Sequence, residues 1–410
     1  MVSSSAAVTP SAGAGQCADH FIPLRQAELV ETLCADAELP ANTSAAFQRF
    51  CGMVVALCHH EFHARLRRLK SAYAPFDPDA EAIPLRSVSA EQKQQRLNAL
   101  MQQFIALMEQ ANYRHLDCRE IEPTLRGANH LGLRIDVDFR VFERLALFVR
   151  GEGMEKRKRR QLRRPWRTEE YEIPVYRRLV MMLKLRPHKR LGRGVNTEGV
   201  FFQLFKNIPK RDITMLLPGA RARISRLDRG KIGFGLISGL GLTLWRILQE
   251  VSHNIVELLN VGAHPAAIWG LATGTIGYGA KSLLGYHQTR KQYHLRLTEV
   301  LYFQNLDTNA GVLHRVLDEG EEQFWHEIVL GYHALWRHAG TDGWTSLQLD
   351  EYVENDLQQR VHMRIDFDVR TALAGLERLH IVERVGERYR ARPLDDVLRV
   401  LDRLWEKCFE

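Results

Sequence analysis

His59 and His63 stand four residues apart with His60 and Glu61 between them. On a helix that spacing puts both rings on one face, where an i,i+4 pair can chelate zinc. A catalytic zinc holds three protein ligands and an open position. A third ligand would have to come from a distant stretch such as Asp77 or Asp79. The order is not His-Glu-x-x-His, so the sequence favours a structural or surface histidine pair. No cofactor is expected, no catalytic residue is assigned, and a metal-dependent enzyme using His59 and His63 stays as an alternative.

A second stretch carries charge rather than ligands. Lys156, Arg157, Lys158, Arg159, Arg160, Arg163, Arg164 and Arg167 put eight cations into twelve residues, with Trp166 among them. Read as a loop, this run could dock on anionic lipid headgroups at about 1 kcal/mol per cation. It could also bind nucleic-acid phosphates, for which one interleaved tryptophan gives little base stacking. A solvated loop is the plain alternative. Further on, Asn305, Asp307, Asn309 and His314 are chemically capable, but Asp307 or Thr308 capping the following helix is the favoured reading.

Between those stretches lie two weakly polar, glycine-rich segments, Ile232 to Trp245 and Val261 to Ala280. A helix needs about 17 to 25 residues to cross the hydrocarbon core. The second segment qualifies, and the first does so if Arg246 extends its stem to the headgroups. Gly235 with Gly239, and Gly270 with Gly274, would let the two helices pack closely in lipid. Arg221, Arg223, Arg226, Arg229 and Lys231 precede the pair, and Lys281, Arg290, Lys291 and Arg296 follow it. The connecting stretch has Glu250 and Glu257 and neither Lys nor Arg. By the positive-inside rule both flanks face the cytoplasm. A buried hairpin in a soluble core competes with this reading. A phosphate-binding turn at Gly233, Gly235 and Gly239 fits less well, because the third glycine falls one residue late for a dinucleotide fingerprint.

Composition sets the outer bounds. The 410 residues suffice for two or three domains, and a mean hydropathy of -0.27 excludes a polytopic membrane protein. A net charge of +8 points to an anionic surface as partner. Cys17, Cys34, Cys51, Cys58, Cys118 and Cys408 form no Cys-x-x-Cys pair and read as scattered reduced thiols. The first residues are rich in Ser, Ala and Gly and lack the basic start of a signal peptide. They read as a disordered tail.

The apolar residues Phe47, Phe50, Cys51, Val54, Cys58, Phe62, Leu66 and Leu69 recur at helical spacing. Ser89-Ala-Glu-Gln92 resembles a capping box that opens a second helix buried through Leu97, Leu100, Phe104, Leu107 and Met108. From Leu133 to Phe139 the period becomes two, the mark of a strand with one wet face. Further strands are expected at 145–149, 179–185, 200–205 and 222–227. Near the C-terminus, helices at 346–359 and 368–380 precede a hairpin turning at Gly386, the order of a winged helix. Its second helix carries Arg370, Glu377 and Arg378, a mixed face that suits a protein partner as well as phosphates. The expected fold is therefore α+β: a disordered tail (1–18), a helical region (19–130), an α+β unit with the polybasic loop 156–167 (131–230), a two-span transmembrane helical hairpin (231–281), a helical region (282–340) and a winged-helix-like module (341–410).

Phe21-Ile-Pro-Leu-Arg25, His59-His-Glu-Phe-His63, Tyr73-Ala-Pro-Phe-Asp-Pro-Asp79, Asp228-Arg-Gly-Lys-Ile232 and Leu301-Tyr-Phe-Gln-Asn-Leu-Asp-Thr-Asn309 together resemble the transmembrane protein 143 family over about residues 20–330. The resemblance implies a membrane-attached protein of bacteria or mitochondria with no established activity. The expectation that follows is a membrane-anchored, non-enzymatic scaffold or adaptor of the bacterial inner membrane, or of a mitochondrial membrane in a eukaryote. Its partners would be anionic lipid and a protein at the C-terminal module, with a homo-oligomer open. The alternative is a nucleic-acid-binding adaptor acting through the polybasic loop and the winged helix.

Overall fold

The computed structural model describes residues 20–36, 40–81, 89–117, 134–161, 164–192, 194–223, 291, 295, 297–299 and 301–408. In chain order its main elements begin with α1 (Gln26–Asp36), α2 (Ala41–Tyr73), α3 (Ala90–Gln110), β1 (Arg114–His115), β2 (Arg134–Asp136), β3 (Phe142–Gln161), β4 (Arg164–Leu185), β5 (Val200–Pro209), α4 (Ile213–Leu216) and β6 (Arg221–Arg223). They continue with β7 (Asn305–Thr308), α5 (Ala310–His338), β8 (Trp344–Thr345), α6 (Ser346–Val361), α7 (Val369–Arg378), β9 (Val382–Val385), β10 (Arg388–Ala391) and α8 (Leu394–Lys407).

The chain divides into two compact units. The first comprises 1–117, 140–210 and 305–410. Its sheet runs β1-β3-β4-β5-β7, antiparallel throughout. One apolar core joins that sheet to the helices, from Leu29 of α1 through Phe47, Phe62 and Phe104 to Phe148, Phe202, Trp325 and Leu401. In the second unit β2 pairs β6, with Ile135 opposite Ala222, and Ile135 is buried with Met215.

Local chemistry accounts for the helix ends. Ser89 and Gln92 form the capping box of α3, with the Gln92 N–H donating to Ser89 Oγ over 3.2 Å. Thr345 and Gln348 repeat the device at α6. The α2 face that carries the helical apolar spacing is the face that is buried.

The C-terminal elements follow in the order α5, β8, α6, α7, β9, β10, with a three-stranded sheet β8-β10-β9. At 29 residues α5 is long enough to pack against α2 and α3 as well. Helices α5 and α7 approach closely because both offer glycine. A Cβ on Gly375 would stand 3.0 Å from the Phe324 ring, and one on Gly331 would stand 3.2 Å from Leu376.

Two expectations change. The transmembrane hairpin, with Gly235, Gly239, Gly270 and Gly274, lies outside the described residues, and among those described no helix is long and apolar enough to cross a membrane. The longest, α2 at 33 residues, is interrupted by Arg49, Glu61, Arg65, Arg67, Arg68 and Lys70. The fold class is corrected accordingly: the described residues form a mixed α/β arrangement around a five-stranded antiparallel sheet, with no membrane-spanning helix among them.

The second change concerns the polybasic loop. Residues Lys156 to Gln161 continue β3, and β4 starts at Arg164. The reason is visible in the register, where Lys156 faces Glu172, Lys158 faces Glu170 and Arg159 faces Glu169. Opposite charges at directly opposed positions favour strand pairing.

Candidate functional site

The most concentrated polar chemistry of the first unit runs along α5. Glu319, Glu322, Gln323, His326 and Glu327 follow one another at helical spacing, and the last three are buried. Polar groups in such a place need partners, since leaving one unpaired costs about 1 to 3 kcal/mol.

At the N-terminal end of this stripe lies an ionic cluster. Arg150 of β3 and Arg178 of β4 are directly opposed in the sheet, a like-charge pairing that is unfavourable by itself. Glu319 answers both, 3.0 Å from Arg150 and 3.7 Å from Arg178. Its carboxylate also accepts the Tyr113 hydroxyl proton at 2.7 Å. The Arg150 side chain, 4% exposed, donates to the Ala111 carbonyl at 3.2 Å and lies 4.0 Å over the Phe21 ring and 4.6 Å over that of Tyr113. Burial pushes the Tyr113 phenol up and holds Glu322 above the usual carboxylate range.

The middle of the stripe grips an extended segment, residues 20–25. Gln323 accepts the Ile22 N–H and donates back to the Ile22 carbonyl. Asn112, just beyond α3 at φ 59°, donates to the His20 carbonyl at 3.1 Å and stands 3.5 Å from Glu327 Oε1. His20 in turn meets the Asp366 carbonyl at 2.9 Å. The segment thereby fastens the end of α3 to α5 and to the turn before α7.

The far end holds the largest electrostatic perturbations. Glu327 Oε2 has no hydrogen-bond partner among the described residues. Burial, reinforced by Asp368 and opposed by Asn112, pushes its pKa up to about 8. Neither ring nitrogen of His326 is hydrogen-bonded among the described residues, and although the backbone of Glu322 and of Leu24 favours its cation, burial dominates and lowers it to about 4. His333, two turns on, also falls to about 4 through burial and the nearby His338. At neutral pH this stripe therefore carries an uncharged acid beside uncharged imidazoles.

The residues singled out from sequence fall elsewhere. The His59 and His63 rings are 6.1 Å apart on the exposed side of α2, and His59 pairs with Glu321 at 3.2 Å. Among the described residues no group of three His, Cys, Asp or Glu could hold a metal. Asp79 bonds the Asn309 amide, and Asp77 accepts the Asp79 N–H. Helix α5 begins after Asn309 rather than at Asp307 or Thr308. Asp307 pairs with Arg315, while Asn309, at φ 48°, ties its side chain to the Phe202 N–H and its own N–H to the Phe202 carbonyl. His314 lies 3.3 Å from Lys70. Of the cationic run, Lys156 to Arg160 lie in β3 and Arg164 and Arg167 in β4, while Arg163 lies outside the described residues. At the C-terminal module Arg370 and Glu377 are exposed, and Arg378 is taken up by Glu61 of α2 at 2.9 Å.

Sequence reasoning passed over the α5 stripe, although polar residues at 319, 322, 323, 326 and 327 repeat with the same period used to find the apolar faces.

Fold and stripe together define a mixed α/β protein with a five-stranded antiparallel sheet and a buried polar seam. A sequence family described as a protein of unknown function (DUF3754) matches residues 142–311, from β3 to the first turn of α5. That match does not link the chain to the transmembrane protein 143 family. No solved structure matches it.

Proposed function

We propose that the protein is a non-enzymatic adaptor that engages nucleic acid through the far end of the β3–β4 ribbon. The observation that carries this reading is the ribbon's register. Among the described residues, the two strands pair beyond Met154 and Pro174 with each other alone, since β5 reaches no further than Val175 and β1 covers Phe148 and Val149.

The seven positions 155–161 extend about 23 Å at the usual rise of about 3.3 Å per residue. Along a strand successive positions fall on opposite faces. Positions 156, 158 and 160 therefore lie on one side of the ribbon and 157 and 159 on the other. A planar lipid surface would meet one of these sets, whereas a groove bordered by two phosphate rows meets both. The major groove of B-form DNA admits a two-stranded ribbon of this kind.

The register also divides the cations. Lys156, Lys158 and Arg159 each face a glutamate, but Arg157 faces Tyr171 and Arg160 faces Thr168. Arg164 and Arg167 belong to the same end of the ribbon. Phosphate binding is then assigned to Arg157, Arg160, Arg164 and Arg167, none of which the register sets opposite a glutamate.

The test is fluorescence anisotropy of the full chain with duplex DNA and duplex RNA over a salt series, beside vesicles containing phosphatidylserine. The expected result is salt-sensitive nucleic-acid binding that R157A/R160A/R164A/R167A weakens at least tenfold and K156A/K158A changes less than threefold. The salt slope should shallow by about one unit per phosphate contact removed. Vesicle binding without nucleic-acid binding, or equal losses in the two variants, would overturn the reading.

A further inference from the structure

We propose that a groove between α2 and α3 binds an amphipathic anion, an apolar chain ending in a carboxylate or phosphate. This inference is independent of the ribbon. The groove has a volume of about 280 Å³, near the lower end of small-molecule sites at ~300 Å³. Its floor is apolar, formed by Leu69 of α2, Leu107 of α3 and Leu317 of α5, each buried. Ala106 of α3, an exposed small residue, leaves the space open where a larger side chain would fill it.

Two guanidiniums border that floor, Arg65 and Arg68, one helical turn apart on α2. They are not equivalent. Arg65 is held on one side by Glu61 and on the other by the Gln110 carboxamide, and Glu61 also receives Arg378. Its charge is largely offset and its position fixed. Arg68 is exposed and has neither a hydrogen bond nor an ion pair among the described residues. Among the described residues no carboxylate lines the groove. An uncommitted cation at the edge of an apolar trough selects a ligand with a matching anionic head and hydrocarbon tail. The head meets Arg68, whose planar fork suits carboxylate or phosphate, and the chain lies along the leucines.

The experiment is isothermal titration of the full chain with decanoate and, separately, with decanol at pH 7.5. The expected outcome is saturable one-to-one binding of decanoate, at least tenfold tighter than decanol. Arg68→Ala should weaken decanoate at least tenfold without affecting decanol. Ala106→Leu should abolish binding of both by filling the trough. Both positions are exposed, so unchanged thermal melting of the variants separates lost binding from lost folding. Absence of saturable decanoate binding would overturn the proposal, as would equal affinity for the two probes, or variants that bind as the parent does.

Discussion

Gln323 turns both ends of its carboxamide onto the backbone of one residue, accepting the Ile22 N–H at 2.8 Å and donating to the Ile22 carbonyl at 3.1 Å. Both residues are buried, and Ile22 lies 301 positions away in sequence. A single side chain thus does for Ile22 what a neighbouring strand would do. Gln323→Leu, close in volume and without the amide, strands a buried N–H and a buried carbonyl together. At about 1 to 3 kcal/mol for each of the two unpaired groups, a loss of about 2 to 6 kcal/mol in urea unfolding is expected. Limited proteolysis should also cut near residue 22 earlier in the variant than in the parent. An unchanged midpoint would show that the segment does not depend on Gln323.

Such a contact could not be read from the sequence, and the reason is general to this chain. Helices α2 and α3 were legible because Phe47 to Leu69 and Leu97 to Met108 repeat locally, and because Ser89 and Gln92 announce a helix start three residues apart. The stripe on α5 has an equally clear period, but its meaning depends on what covers it. Gln323, His326 and Glu327 on an exposed helix would be ordinary surface residues. Among the described residues, the distant segment 20–25, Asn112 and Asp368 lie against them. The ribbon shows the opposite failure. Its charge suggested a loop, while the acidic stretch Glu169-Glu170-Tyr171-Glu172, which stands opposite in the register, was present to be noticed. His59 and His63 do share a face as their spacing requires, but spacing alone supplies no third ligand.

Glu319 separates two arginines that the sheet sets opposite each other. Removing its charge in Glu319→Gln leaves Arg150, which is almost fully buried, facing Arg178 without an anion between them. Breaking a buried pair from one side costs about 3 to 5 kcal/mol. The partial exposure of Arg178 moderates this, so about 3 kcal/mol is expected from denaturant unfolding. The double variant Glu319→Gln with Arg178→Gln should recover part of the loss. If the double variant is less stable than the single one, the two guanidiniums do not oppose each other through this site.

The close approach of α5 and α7 gives a steric test. A methyl group at Gly375 would meet the Phe324 ring at 3.0 Å and Ile328 at 3.1 Å, and both of these residues are core. Overpacking of this kind costs about 1 to 3 kcal/mol. Gly375→Ala should therefore lower the melting temperature even though alanine favours helix. The exposed glycine Gly52, in the middle of α2 with nothing near its missing side chain, provides the contrast. There, alanine should stabilise by about 0.5 to 1 kcal/mol. The same substitution is expected to change sign between the two helices.

The buried titratable groups of α5 set the dependence of stability on pH. Glu327 keeps its proton in the fold up to about pH 8, whereas a free glutamate loses it near 4.5. Its contribution is complete below pH 4.5 and is lost progressively as the pH rises toward 8. His326 and His333 act in the other sense, because each remains neutral in the fold down to about pH 4 against an ordinary 6.5. Their contribution is complete above pH 6.5 and is lost as the pH falls toward 4. Between 4.5 and 6.5 the two histidines outweigh the one glutamate, and above 6.5 the glutamate acts without them. These three groups thus place the maximum near pH 6.5. One proton per unit of pH corresponds to about 1.4 kcal/mol, so the alkaline limb should fall by about 2 kcal/mol from 6.5 to 8. Glu327→Gln keeps the size and removes the ionisation. In urea titrations at pH 5, 6.5 and 8 this variant should gain on the parent as the pH rises, with the alkaline limb nearly flat. A parent whose stability climbs between pH 6.5 and 8, or a variant with the same slope as the parent, would mean that Glu327 is ionised in the folded protein.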